Sequence, residues 1–206
     1  MSVDIVVHKG LKNILYDNSL VGILATVFKN KFCEFDILFV DGVWRLCHDF
    51  NVLSMYHSRL SELLNVLEKN KNLVKNNVII DVKWDFVINR HDSLFEAVGQ
   101  LKQELLHFAD YPFLIQASNT RILEAIISHL DGWNIGLIVS NMNDFYTYSE
   151  FLNFGMVSLT DFTSEEIGFM SEKCNLFGYT CHNTNELSKY KHLFKYLKGI
   201  VCDVSL

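Results

Sequence analysis

Four short strings in the chain collect residue types that handle phosphate esters: His8-Lys9-Gly10, Glu34-Phe35-Asp36, His48-Asp49 and Asp81-Val82-Lys83. Glu34, Asp36 and Asp81 are three carboxylates that repel one another if brought together without a cation between them. An all-oxygen donor set selects a hard divalent metal, Mg2+ or Ca2+, over zinc. Such an ion acts as a Lewis acid on a phosphoryl oxygen. His8 and His48 beside it supply a general acid and a general base near neutral pH. Lys9 and Lys83 bring positive charge for a phosphate.

These residues need a scaffold that delivers them to one place. Short apolar runs rich in β-branched residues predict strands at 3–7, 33–40, 78–82, 113–116, 135–139, 156–159, 176–180 and 199–202. Amphipathic spacing predicts helices between them, over 19–28, 58–70, 93–108, 121–130, 144–153, 163–173 and 186–197. Ser19 and Thr163 read as N-caps, and Ser58 with Ser61 and Glu62 as the capped start of another helix. Asp41-Gly42 is a hairpin dipeptide, with Val43–Cys47 as the returning arm. Strands that are apolar throughout are buried on both faces, as in a parallel sheet wrapped by helices. Eight strands with seven helical connections predict a compact (β/α)8 barrel. A doubly wound open sheet is the alternative, but its Gly-rich turn after the first strand is reduced here to Gly10.

In a barrel the C-terminal strand ends form the active face. His8 ends the first predicted strand, Asp81 and Lys83 the third, and the hairpin carries His48 and Asp49 back to the same end. Two-residue periodicity puts Glu34 with Asp36, and Asp81 with Lys83, on common strand faces.

Composition narrows the function classes. The 206 residues are half apolar, contain one proline, and show no linker or charge run, so residues 1–206 are expected to form one domain. A net charge of −6 without a basic stripe argues against nucleic acid as a partner. It leaves room for a small-molecule phosphodiester or a lipid headgroup. The N-terminal residues lack a secretory signal pattern, and no run has the length of a transmembrane segment. Five cysteines without a C-x-x-C pair fit reduced thiols in a cytoplasmic protein, Cys33 and Cys202 being small buried apolar groups. His57, His91, His107, His129 and His192 accompany helical segments and are expected at the surface.

The order of the motifs resembles the glycerophosphodiester phosphodiesterase family. Its succession H-[RK]-G, E-x-D, D-G, H-D, [ED]-x-K and G-I-x-x-D is matched by His8-Lys9-Gly10, Glu34-Phe35-Asp36, Asp41-Gly42, His48-Asp49, Asp81-Val82-Lys83 and Gly199-Ile200-Val201-Cys202-Asp203. Asn18-Ser19-Leu20 stands at the family's E-N-T-[LV], and Tyr179-Thr180-Cys181-His182-Asn183 near its W-T-x-N. The resemblance implies a (β/α)8 barrel with Glu34, Asp36 and Asp81 as metal ligands and His8 and His48 as the acid/base pair. It also implies a glycerophosphodiester substrate, such as glycerophosphocholine, cleaved to an alcohol and glycerol 3-phosphate. An adjacent substrate hydroxyl would attack before water does. Asp203 would have a structural part in closing the barrel.

Lys9 stands where the family usually has Arg, and keeps the charge without the bidentate fork. Asp81 replaces the usual Glu, as in the related sphingomyelinase D-type phospholipases. The family's insertion after H-D shrinks to Phe50–His57, whose Phe50, Val52, Leu53, Met55 and Tyr56 are expected to pack over the barrel mouth. These departures define two further readings. One is a phospholipase D-like enzyme acting on lysolipid or sphingolipid diesters. The other is a non-catalytic barrel that binds a phosphorylated ligand or a partner.

Overall fold

A computed structural model of the chain describes residues 3–10, 17–29, 31–49, 57–182 and 184–203. Its nine strands are β1 (Asp4–His8), β2 (Phe32–Val40), β3 (Val43–Leu46), β4 (Val78–Lys83), β5 (Phe113–Ala117), β6 (Asn134–Val139), β7 (Phe154–Ser158), β8 (Asn175–Cys181) and β9 (Leu197–Cys202). All but β3 run parallel, in the order β1-β2-β4-β5-β6-β7-β8-β9, and β9 pairs back onto β1. That closure makes the sheet an eight-stranded barrel and removes the open-sheet alternative. Among the described residues six α-helices cover it: α1 (Leu20–Phe28), α2 (Leu60–Lys69), α3 (Leu94–Leu105), α4 (Thr120–His129), α5 (Met142–Tyr148) and α6 (Ser164–Ser171).

Alternate strand residues sort into two cores. Inside the barrel, Val6, Phe32, Ile79, Phe154, Phe177 and Val201 pack together with Leu114 and Ile138. Facing out, Phe35, Ile37, Ile80, Val82, Ile115 and Leu137 meet the apolar stripes of the helices. In α2 that stripe is Leu60, Leu63, Leu64 and Leu67, all buried at helical spacing. A side chain at Gly136 would lie within 2.4 Å of the Phe154 ring, so the missing Cβ there makes room for a large interior residue.

The helix starts follow local chemistry. The Ser19 side chain accepts from Gly22 N, and Thr163 forms a reciprocal capping box with Glu166. Three expectations are corrected. α2 starts after Arg59 with no side-chain cap, so the predicted Ser58–Glu62 cap does not form. α5 begins at Met142, capped by Asn141, with Asp144 in its first turn. The last connection is a 3-10 helix, Thr184–Leu193, and Leu197 belongs to β9, where it pairs with Leu176.

β2 is the strand on which the site region is built. Its nine residues pair with β4 along one edge, from Cys33 to Leu38. Along the other edge they pair first with β1, from Phe32 to Glu34, and then with antiparallel β3, from Ile37 to Val40. The β2–β3 ribbon therefore continues upward where β1 stops. Asp41 and Gly42 turn it with φ of 51° and 76°, as a two-residue hairpin with both positions left-handed requires. Trp44 braces the ribbon: its indole N–H donates to Ala97 O at 3.1 Å, and its ring meets Phe39. Leu46 N donates to Ser58 O at 2.9 Å.

Candidate active site

Strand register assembles the acidic cluster. His8 pairs with Glu34, Asp36 with Asp81, and Asp81 with Gln116, all on inward-facing positions toward one mouth of the barrel. Oxygens of Glu34, Asp36 and Asp81 come within 4.8 Å of one another, and all three residues are buried. A pocket of about 120 Å3 opens over them, lined also by His8, His48, Lys83, Gln116, Ile138, Met156, Tyr179, Thr180 and Val201. The lining is charged along β1, β2 and β4 and apolar at Ile138, Met156 and Val201.

Each carboxylate is held differently. Lys9 N donates to Glu34 Oε2 at 3.2 Å. Asn18 Nδ2 donates to Asp36 Oδ2, and Asp36 N donates to Asn18 Oδ1, both at 2.9 Å. Asn18 has a φ of 58°, and its own N–H donates to Lys9 O at 3.0 Å, so its strained backbone is tied down at both ends. Lys83 Nζ donates to Asp81 Oδ2 at 2.7 Å and lies 3.5 Å from Asp36 Oδ1. Asp81 Oδ1 is buried with no hydrogen-bond partner.

The electrostatics follow from burial and charge crowding. Burial, then the charges of Asp36 and Asp81, push the Glu34 carboxyl well above the usual carboxylate range. Asp81 is pushed up to about 6, chiefly by burial, with Lys83 opposing. Burial alone would lower Lys83, yet the neighbouring Asp81 and Asp36 hold it above the ordinary lysine range. Protons thus compete for oxygens that would rather share a cation. An orphaned carboxylate oxygen, two neighbours within reach and an all-oxygen donor set fit a hard divalent ion. Glu34, Asp36 and Asp81 could hold a metal ion at this point.

Both predicted histidines line the pocket, and each is oriented by a carboxylate. His8 Nδ1 lies 2.8 Å from Asp203 Oδ1, and its Nε2 lies 3.8 Å from Glu34 Oε2. His48 Nδ1 lies 2.8 Å from Asp49 Oδ2. An ionised carboxylate only accepts, so Nδ1–H is the donor in both pairs and Nε2 is left to face other chemistry. Burial lowers His8 below the ordinary imidazole range, and its bond to Asp203 partly restores it.

The two lysines are placed unlike each other. Lys83 is in the pocket but engaged with Asp81 and Asp36. Lys9 lines a neighbouring pocket of about 380 Å3 with Asp17, Asn18, Cys47, His48, Asp49 and His57. Asp203, expected only to help close the barrel, is the partner of His8, and its Oδ2 also lies 3.5 Å from His182 Nδ1. The motif match placed Asp203 at a strand end; only barrel closure brings β9 beside β1. Gln116 gave no sequence signal. His57, expected at the surface, is 9% exposed. Cys33 and Cys202 are buried as expected, and all five cysteines are free. Phe50, Val52, Leu53, Met55 and Tyr56 lie outside the described residues. Among the described residues no helix is long and apolar enough to cross a membrane.

No protein-family model matches the chain. No curated protein matches it by sequence. Solved structures do match. One, assigned as a glycerophosphoryl diester phosphodiesterase from Silicibacter pomeroyi, has 15% identity and a TM-score of 0.79, over 98% of this chain and 90% of its own. A phosphodiesterase from Oleispira antarctica, solved with its product sn-glycerol-3-phosphate, has 14% identity and a TM-score of 0.77, over 97% and 92%. A glycerophosphodiester phosphodiesterase from Parabacteroides distasonis has 13% identity and a TM-score of 0.73, over 98% and 92%. The closed barrel and these likenesses give this chain the (β/α)8 fold of those solved glycerophosphodiester phosphodiesterases.

Proposed function

We propose that the chain is a metal-dependent phosphodiester hydrolase that cleaves glycerophosphodiesters to an alcohol and glycerol 3-phosphate. The observation that carries this reading is one pocket shared by three buried carboxylates and two carboxylate-oriented histidines. A divalent cation at Glu34, Asp36 and Asp81 would polarise a phosphoryl oxygen and offset the charge of the diester.

His8 and His48 do the proton work. One Nε2 takes the proton of the attacking oxygen, either a neighbouring glycerol hydroxyl or water, as its bond to phosphorus forms. The other gives a proton to the alcohol oxygen as the phosphorus–oxygen ester bond breaks. If the hydroxyl attacks first, water then opens the cyclic ester with the histidine roles reversed. Asp203 and Asp49 keep each ring in the required tautomer. Lys83 balances the acidic wall through its ion pairs, and Lys9 supplies positive charge beside His48 for the phosphate. The apolar wall of Ile138, Met156 and Val201 receives the part of the ligand farthest from the charge.

The chain, loaded with Mg2+ or Ca2+, should release glycerol 3-phosphate from glycerophosphocholine, and His8→Ala should abolish this. A folded, metal-binding protein inert on a panel of glycerophosphodiesters would refute the reading. The short Asp81 side chain supports a second one, action on lysolipid or sphingolipid diesters, which the same assay tests with lysophosphatidylcholine and sphingomyelin.

A further inference from the structure

We propose that Gln116 is a substrate-contacting residue, its side-chain amide donating to a phosphoryl oxygen of a ligand held at the acidic cluster. The proposal rests on the function proposed above and adds a recognition residue to it.

Gln116 is fully buried, and neither its Nε2 nor its Oε1 has a hydrogen-bond partner. A buried amide left unpaired in both roles destabilises the fold through each unmet group. Nothing in the fold asks for that expense. Two residues below on the same inward face is Leu114, packed in the barrel interior, and an apolar side chain would continue that layer. The residue lies beside Asp81 in strand register and lines the same pocket. Asp81 Oδ1, its neighbour, is also orphaned. Two adjacent orphans on one pocket wall mark a place whose partners come from outside the chain.

The residue type fits a phosphate better than it fits the ion. An acid at this position would add a fourth charge to a crowded cluster, and a lysine would compete with the metal. An amide contributes two N–H donors and no charge. Gln116 also stands at the seam between the charged strands β1, β2 and β4 and the apolar Ile138–Met156 wall. A phosphoryl group anchored on the carboxylate side would present a free oxygen toward that seam.

The test is calorimetric titration of glycerol 3-phosphate into the Mg2+-saturated protein, wild type and Gln116→Leu, with melting curves in metal alone. The expected result is at least about a tenfold loss of affinity in Q116L, as for one hydrogen bond to a charged group. The Mg2+-induced rise in melting temperature should be retained, and the metal-free variant should be at least as stable as wild type. Gln116→Met carries the same expectation if the leucine variant fails to fold. Gln116→Glu should bind the phosphate more weakly still, through charge repulsion. Wild-type affinity in Q116L or Q116M overturns the proposal while the proposed hydrolase stands. So does a parallel loss of the Mg2+ response, which would make the amide a metal ligand. A wild-type protein that binds Mg2+ but no glycerol 3-phosphate overturns both.

Discussion

Replacing Gly10 by alanine tests how the turn beside the acidic cluster is built, independently of any activity. Gly10 has a φ of 74°, and an added Cβ would lie 2.9 Å from both Gly22 C and Ile23 N, backbone atoms in the first turns of α1. Two penalties add. A left-handed alanine costs roughly 1–2 kcal/mol. Forcing a methyl group against backbone that cannot rotate away costs about 1–3 kcal/mol more. The total of about 2–5 kcal/mol lowers the melting temperature of a chain this long by roughly 4–20 °C. Gly42→Ala is the internal control: its φ is 76°, but nothing lies within 4 Å of the added Cβ. It carries the conformational penalty alone, so it should melt about 2–8 °C below wild type. Differential scanning calorimetry on the three metal-free proteins decides. If the Gly10 and Gly42 variants melt together, the close approach of the His8-Lys9-Gly10 turn to α1 is wrong. The Lys9 N–Glu34 contact would fall with it.

Glu34→Gln should leave the metal-free protein as stable as wild type or more so, because three crowded negative charges become two; it should also erase the gain from Mg2+. At a hundredfold excess over Kd that gain is about 2.7 kcal/mol in wild type, read as a melting shift, and a full shift in the variant contradicts the ligand set. Asp203→Asn should lower kcat on glycerophosphocholine by about 10²–10⁴ through the wrong His8 tautomer while the Mg2+ shift persists; a kcat near wild type would show that the 2.8 Å contact does not orient the ring. Asn18→Gly accepts the φ of 58° without strain but loses both bonds to Asp36. It should therefore lose about 2–4 kcal/mol in urea unfolding, and an unchanged midpoint would mean those bonds contribute nothing net.

Features set by a residue's near neighbours were readable in the sequence. Asp41-Gly42 dictates its own turn, Ser19 and Thr163 cap their helices, and continuous apolar runs gave strands within two residues of their observed bounds. The misreadings occur where tertiary pairing outweighs local preference. Leu197 fits a helical spacing with Leu193, but barrel closure recruits it to β9 opposite Leu176. Phe154 and Gly155 precede the strand expected over 156–159, yet in the barrel they pair with Gly136 and Leu137 on one side and Asn175 and Leu176 on the other. The same logic divides the site. Glu34, Asp36, Asp81, His8 and His48 stand out because charged and titratable groups are conspicuous in and beside apolar strands. Asp203 as the partner of His8, Asn18 as the clasp on Asp36, and Gln116 beside Asp81 depend on which strands become neighbours. No local pattern announces that.

The length of β2 has a mechanical consequence. One uninterrupted strand carries Glu34 and Asp36 in its barrel half and, through the hairpin at its tip, ends the lever on which His48 is mounted. The acidic pair and the proposed proton carrier are thus parts of a single stiff beam, with a spacing fixed by counting residues. Inserting one residue between Asp36 and Val40 would displace the tip by about 3.3 Å and turn the strand side chains from there to Val40 to the opposite face. That beam can be lengthened only in steps of two if its outer side chains are to keep their faces.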